Sequence, residues 1–431
     1  MSSARAIARS ATEADTVRKV RSRIIPFLFL LYIVAYLDRI NIGFAALTMN
    51  RELAVSSRQF GLLAGVFFLG YFLFEVPSNL LLHRIGARIW IARILVSWGI
   101  LAMLGGCVRS VAQLYVARFL LGLMEAGFFP GILLYLTYWF RQREQAQAIA
   151  LFMAALPITS IVGAPVSGFI LDHVHWLGTS SWRWLLILEG LPAILCGVLT
   201  YLLLPSRPVE ATFLTTEERS WLVSALERED ELKRSRHHVS AVRALATARV
   251  WHLAAIGFFM TTGLYAVSFW MPQVVQSFSG RYSNTLLGLL VTIPQVVGLA
   301  AMVLVSRSSD RRLERRYHVA IPAILAGVAL LGLGGVSGPL VSIALLSLVV
   351  AGIYSFYGPF FSLPSQFLTG FSAAAGIGLV NSVVNLGGFV GPYAIGAINA
   401  STGSLHRGLA AVGVSVLLSA ALTLMLPGVR P

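Results

Sequence analysis

Four ionisable residues stand where an apolar chain least tolerates them. Asp38 and Arg39 adjoin inside the apolar run Phe27 to Phe44, and Arg118 and Glu125 lie in a second run, Arg-Phe-Leu-Leu-Gly-Leu-Met-Glu. An ionisable side chain at the centre of a membrane-spanning helix costs about 2.5–3.5 kcal/mol on insertion scales, so such groups face a protein-lined cavity and mark a pathway. Arg118 and Glu125 are two helical turns apart and share one face, about 10 Å apart along the axis. Counting inward at the helical rise puts Asp38 and Arg118 at similar depths, about 10–12 Å, and Glu125 at about 21 Å. Arg118 is therefore expected between the two carboxylates. A guanidinium presents a planar fork that matches a carboxylate, so an organic anion suits this set better than a neutral sugar. A carboxylate whose neighbouring arginine is drawn onto an anion changes its hold on a proton, which gives proton coupling a physical basis. The plainer alternative is an ion-pair network that merely locks two helices, yet small-residue packing would do that at less cost than four charges.

The rest of the chain supplies helices to hold these groups. It is 57% hydrophobic and only 12% charged, about half the charged share of a soluble domain. From Tyr317 through His406 there is no Asp, Glu, Lys or Arg, a stretch whose surface only lipid can take up. Runs near the required ~20 apolar residues predict twelve spans, approximately at 24–46, 59–82, 88–108, 111–139, 146–171, 183–204, 248–275, 284–306, 318–335, 340–366, 374–399 and 406–427. The breaks in the uncharged stretch fall at Gly334-Gly335 to Gly338-Pro339 and at Thr369-Gly370, where turn chemistry separates spans. The expected organisation is a tail (1–23), a six-helix bundle (24–204), a polar linker (205–247), a second six-helix bundle (248–427) and a short C-terminal tail (428–431). Thr215-Thr216-Glu217-Glu218 marks a helix start in the linker. The halves rhyme: span 5 carries Gly163-Ala-Pro165-Val-Ser-Gly168 and span 11 carries Gly391-Pro392-Tyr-Ala-Ile-Gly396, while the span 2–3 and 8–9 turns are both short and basic. Such internal similarity is characteristic of repeat-built transporters.

The net charge of +15 invites a nucleic-acid reading, but its placement argues against one. With the N-terminus inside, 24 of the 33 Lys and Arg fall on the inner side, 6 on the outer and 3 within spans. That asymmetry is the positive-inside rule, and it places both termini and the linker in the cytoplasm. The Ser/Arg-rich residues 1–23 faintly resemble a transit peptide, but Glu13 and Asp15 and the long first run favour an uncleaved helix. Cys107 and Cys196 show no metal or redox spacing, and neither lysine (Lys19, Lys233) follows a glycine, so no phosphate loop exists. No cofactor, metal or enzymatic constellation is expected.

Among weaker candidates, Glu75 is expected to brace the end of span 2, and Glu189 and Arg93 to snorkel from span ends. His237 and His238 are expected to be solvated in the linker. The second half offers Asn381 and Asn385, one turn apart, with Gln366, Tyr354 and Tyr357; helix–helix hydrogen bonds are the alternative for the amides.

The runs Tyr-Leu-Asp38-Arg39-Ile-Asn-Ile-Gly, Gly70-Tyr-Phe-Leu-Phe-Glu-Val-Pro-Ser-Asn79, and Arg118 with Glu125-Ala-Gly-Phe-Phe-Pro-Gly131 resemble the anion:cation symporters of the major facilitator superfamily, over essentially the whole chain. The resemblance is to the bacterial branch handling tartrate, phthalate, hydroxyphenylacetate and sugar acids. It implies an all-α fold of twelve transmembrane helices in two six-helix pseudo-repeats, working by alternating access in the bacterial inner membrane and importing a small organic anion together with protons. It implies protonation sites at Asp38 and Glu125, carboxylate binding by Arg39 and Arg118, and a cavity lined by Tyr71 and Asn381, with Asn385 one turn on. The chain departs from the family at His83, where the superfamily has an acidic residue, and at Phe361, where many relatives have Trp. The expectation is a monomeric, proton-coupled importer of a small organic carboxylate. An organophosphate/phosphate antiporter, which carries basic residues in both halves, and a non-transporting membrane sensor of the same fold are the alternatives.

Overall fold

The computed structural model describes residues 2–235, 247–278, 282–336, 338–363 and 371–426. Gln366, the Thr369-Gly370 break, His237, His238 and the tail 428–431 lie outside the described residues. Among the described residues, twelve helices are long and apolar enough to cross a membrane. Spans 1–6 are Glu13–Glu52, Ser57–Ile85, Ala87–Gly105, Val111–Thr137, Gln142–His173 and Ser181–Leu203. Spans 7–12 are Ala248–Phe278, Asn284–Arg312, Arg316–Gly335, Pro339–Phe361, Leu379–Thr402 and Leu405–Leu424. The first helix begins earlier than its apolar run, at Ser2, because the Ala- and Arg-containing tail is made largely of good helix formers.

Local chemistry sets the helix ends. Ser56, Ser110, Ser283 and Ser404 each accept the N3 backbone N–H of spans 2, 4, 8 and 12, satisfying a donor that a helix start leaves free. Spans 2 and 8 hold matching places in the two halves, so the shared serine cap is a further trace of the repeat. Two spans are broken rather than continuous. Span 4 runs as Val111–Glu125 and Phe128–Thr137, divided at Gly127, whose φ of +85° suits glycine. A Cβ there would strike the Ser78 side chain of span 2. The break leaves Glu125 as the last residue of its segment. Span 5 divides at Ala154.

Within the first half, span 3 packs on span 6, span 2 on span 4, and span 1 on spans 5 and 6. Within the second, span 7 packs on spans 11 and 12, span 8 on span 10, and span 9 on spans 10 and 12. Leu73, Val76, Leu80, Leu304 and Ile321 are exposed around the outside, as lipid-facing positions must be. The polar linker contributes a helix, Thr216–Ser235, started by reciprocal Thr215–Glu218 hydrogen bonds of 2.9 and 3.3 Å. It is tied to span 1 by Lys19 and Glu218 at 2.5 Å, and the lysine holds that carboxyl below the usual carboxylate range.

The halves meet along three seams: span 2 on 11, span 5 on 8, and span 1 on 7. Most polar ties across them lie in the half nearer the arginine-poor face. Asn399 donates to Ser57 at 2.8 Å. The Asp172 carboxylate at the end of span 5 takes four donors from the start of span 8: the backbone N–H and side-chain amide of Asn284 (3.1 and 2.7 Å) and the backbone N–H and hydroxyl of Thr285 (both 2.7 Å). Side chains at Gly168 and Gly288 would collide with the opposite backbone, so glycine is what lets these spans touch. Asp172→Ala should therefore favour parting of the halves on this face. Loss of a carboxylate at a helix start is worth about 0.5–2 kcal/mol, a shift of about 2- to 30-fold in the open population. Distances between spin labels at the ends of spans 5 and 8 would register it; an unchanged distribution would show the clasp to be dispensable.

Candidate functional site

The charged residues of spans 1 and 4 converge at the middle of the molecule. Asp38, Arg39, Arg118 and Glu125 are all buried, the most exposed being Arg39 at 8%. Arg39 carries the central contacts. One terminal nitrogen pairs with Glu125 Oε1, and the other donates to the Tyr265 hydroxyl of span 7 at 2.8 Å. The ion pair thus joins spans 1 and 4, and the tyrosine ties that pair to the second half.

Here the structure adds a pairing that axial spacing does not give. Glu125 is paired by Arg39 and not by Arg118. Arg118 lies close enough to Asp38 and Glu125 to feel both charges, yet its Nε and Nη2 are buried without a hydrogen-bond partner. Axial depth alone gives no direction around the helix, and the Arg39 fork reaches Glu125 from a neighbouring helix. Both guanidiniums lie against Phe67 of span 2, each 5.2 Å from its ring centre. Arg39 also lies 5.4 Å from the ring of Tyr71. Unpaired buried guanidinium N–H groups are costly, and aromatic faces offset only part of that cost.

Asp38 is partnered differently. The indole N–H of Trp98 donates to Oδ2, and Asn41 Nδ2 donates to Oδ1 at 3.1 Å. A cavity of about 20 Å³, lined by Asp38, Asn41, Arg118, Leu114 and Leu186 among others, has room for about one water. A larger cleft of about 340 Å³ beside Arg58, Tyr115 and Tyr393 holds none of the four charges.

The second half meets this cluster through Glu75. Asn381 Nδ2 donates to Glu75 Oε1 at 2.8 Å and Ser382 donates to Oε2 at 3.4 Å, with Asn385 close to the same carboxylate. Instead of bracing the end of span 2, Glu75 is 4% exposed and joins the two halves. Its partners include two amides read from the sequence as substrate ligands. Glu189 also departs from expectation: it is 2% exposed and accepts from Ser167 at 2.7 Å rather than snorkelling. Arg93 lies flat on Trp90, 3.9 Å from the ring centre. Tyr354 donates to Gln295 at 2.7 Å, and the Tyr357 hydroxyl meets Thr261 at 3.0 Å, so both tyrosines are engaged within the second half.

Three contributors were not singled out by sequence: Tyr265, Trp98 and Asn41. Asn41 follows Asp38 by three residues, a spacing that shares a helix face, and that signal was available. Nothing local distinguishes Tyr265 or Trp98 from other aromatic residues of apolar helices.

Two six-helix halves around a buried charge cluster define a secondary transporter fold. The Major Facilitator Superfamily model matches residues 28–392. A protein of Agrobacterium vitis provisionally named a tartrate transporter is 45% identical over 97% of this chain and 93% of its own. The inner membrane transport protein RhmT of Escherichia coli is 35% identical, over 87% of each chain. In fold, the chain is similar to a D-xylose-proton symporter, with a TM-score of 0.75 at 16% identity, covering 94% of this chain and 98% of that one. The chain belongs to the major facilitator superfamily, as a multi-pass membrane transporter and not an enzyme.

The unequal partnering of the two arginines can be measured. Arg39→Ala should destabilise by about 3–5 kcal/mol, because it strands Glu125 as an unpaired buried charge. Arg118→Leu should cost much less, since it removes unpaired N–H groups. Thermal unfolding of the purified proteins decides this; equal losses would mean that both arginines are structural.

Proposed function

We propose that the protein is a proton-coupled symporter that imports a small organic carboxylate by alternating access. The observation that carries this reading is the division of labour at the site: Arg39 is held by an internal carboxylate, while Arg118 keeps unpaired buried N–H groups. A substrate carboxylate supplies what Arg118 lacks, through the bidentate geometry of a guanidinium. Its charge draws on both arginines, so Glu125 and Asp38 gain protons as the anion arrives. A neutral Glu125 no longer needs Arg39, which frees that fork for the substrate. With proton and anion aboard together, the site reorients with less uncompensated charge.

Tyr71 lines the cavity beside Arg39, and Asn381 and Asn385 exchange Glu75 for polar groups of the substrate. Residues 24–204 and 248–427 act as the two rocking bundles, connected by 205–247, within a single chain. The substrate class is a tartrate-like hydroxy acid, a sugar acid or an aromatic acid. The name of the Agrobacterium relative supports tartrate as the first probe. The arginine asymmetry supports cytoplasmic termini, and the name of the Escherichia coli relative supports the bacterial inner membrane.

Two experiments test this. In proteoliposomes with labelled tartrate, wild-type protein should accumulate the probe under an inward proton gradient. Glu125→Gln should still exchange it between equal pools but lose gradient-driven accumulation, and Arg118→Lys should weaken binding about 10- to 100-fold for want of the planar fork. Unchanged accumulation by Glu125→Gln would remove Glu125 from the coupling role, and near-normal binding by Arg118→Lys would count against a carboxylate clamp. Orientation is tested with Ser224→Cys in the linker helix, which an impermeant thiol reagent added to intact cells should fail to label.

A further inference from the structure

Glu189 of span 6 has no place in the site as read from sequence, yet its surroundings are unusual. It is 2% exposed, and no lysine or arginine forms an ion pair with it among the described residues. Ser167 of span 5 donates to Oε1 at 2.7 Å, while Oε2 is buried without a partner. Asn41 of span 1 makes side-chain contact with this carboxyl, and Asp38 is the charged group near enough to repel it. Span 3 packs beside Glu189 through Gly99, Ala102 and Met103 against Gly190 and offers no charge there.

The hydrogen bonds of Asn41 show how this corner is balanced. Its Nδ2 donates to Asp38 Oδ1 at 3.1 Å, while its own Oδ1 is buried without a partner. Two orphan acceptors, Asn41 Oδ1 and Glu189 Oε2, therefore belong to neighbouring side chains. Buried acceptors require donors, and a hydrogen placed on Glu189 Oε2 turns one of the two into a donor. Without it, a lone carboxylate would be held in the interior by one hydroxyl and repelled by Asp38, an arrangement of high cost.

We propose that Asp38 and Glu189 form a coupled pair that holds one proton across the Asn41 amide, making Glu189 a third proton-carrying residue of the transporter. In one arrangement the Glu189 carboxyl donates to Asn41 Oδ1 and the Asn41 amide donates to ionised Asp38, as its Nδ2 does here. The exchanged arrangement is its mirror image. The O–H bond at Glu189 breaks, one forms at Asp38 Oδ1, and Asn41 turns over to donate to Glu189 and accept from Asp38. Every group remains satisfied and the net charge of the pair does not change. The water-sized cavity bordering Asp38 and Asn41 gives a water access to the Asp38 end of the transfer, where it relays the proton. Trp98 continues to donate to Asp38 Oδ2 in both arrangements. Glu189 is nearer the arginine-poor end of its span than Asp38 is of its own, eight residues from Ser181 against fourteen from Glu52. The pair thus offers Asp38 a proton source on that side, away from the substrate seam between the halves.

This inference rests on Asp38 taking part in proton coupling, and its test separates the two. The first measurement needs no substrate. Infrared difference spectra of purified protein at neutral pH, with and without Glu189→Gln, should show that the substitution removes the carbonyl stretch of an undissociated carboxyl. Glutamine can donate to Asn41 and accept from Ser167, so the fold should survive. Absence of that band from the difference spectrum would overturn the proposal. The second measurement uses labelled tartrate in proteoliposomes. Glu189→Gln should leave exchange between equal pools near wild type while slowing uptake driven by a proton gradient by about tenfold, and Glu189→Asp should recover part of the rate. If wild type responds to the gradient and Glu189→Gln responds equally, Glu189 is only a hydrogen-bonding strut. If wild type ignores the gradient while exchanging the probe, proton coupling itself fails, whatever the infrared result.

Discussion

A charge removed from water has to be answered inside the protein, and that requirement shapes the centre of this molecule. Lipid provides neither hydrogen bonds nor counterions, so an ionised group in the spans has to find its partner within the protein. Arg39 meets this demand with an acid from span 4 and a hydroxyl from span 7. Glu75 meets it with donors from span 11. Both solutions cross element boundaries, and three of the contacts cross between the halves. Polar satisfaction and the relative position of the halves are thereby one problem: moving the halves changes which charges are answered. A substrate bearing its own charge enters that same balance, which is how a small anion can influence helices many residues away.

The fold was legible because its signals are long and repetitive. Apolar runs, glycine breaks and the asymmetric arginines located twelve helices and the division into halves. The breaks inside spans 4 and 5 were not legible, because neither interrupts the apolar run. The Gly127 turn exists for the sake of Ser78 on another helix, a contact that composition does not record. At the site, residue types were readable and pairings were not. Charge in an apolar run identifies Asp38, Arg39, Arg118 and Glu125 as a group. Which fork meets which carboxylate depends on helix rotation, and axial spacing leaves that free. Glu189 was misread for a related reason: eight residues from the start of span 6 is near an end by count, but packing against spans 3 and 5 buries it.

The two arginines share more than their sign. Phe67 lies against both guanidiniums, so a single ring offers its surface to two positive groups that repel across a medium of low dielectric. Span 2 therefore takes part in the anion site through an aromatic surface as well as through Tyr71. The same span carries Glu75 one turn beyond Tyr71. One helix face thus touches the arginine pair and the amides of the opposite half.

The clasp at Asp172 bears on the thermodynamics of motion. Span 8 does not complete its own first turn: Ser283 serves the backbone N–H of Leu286, and the two N–H groups before it, of Asn284 and Thr285, are held by a carboxylate from the other half. When the halves part, those N–H groups pass to water and the turn is free to fray. Part of the order counted as secondary structure in span 8 is thus a property of the closed assembly, and separation returns conformational entropy to the backbone. The opening of this face is then a partial local melting as well as a rigid rotation, with the extent of one helix changing as the transporter cycles.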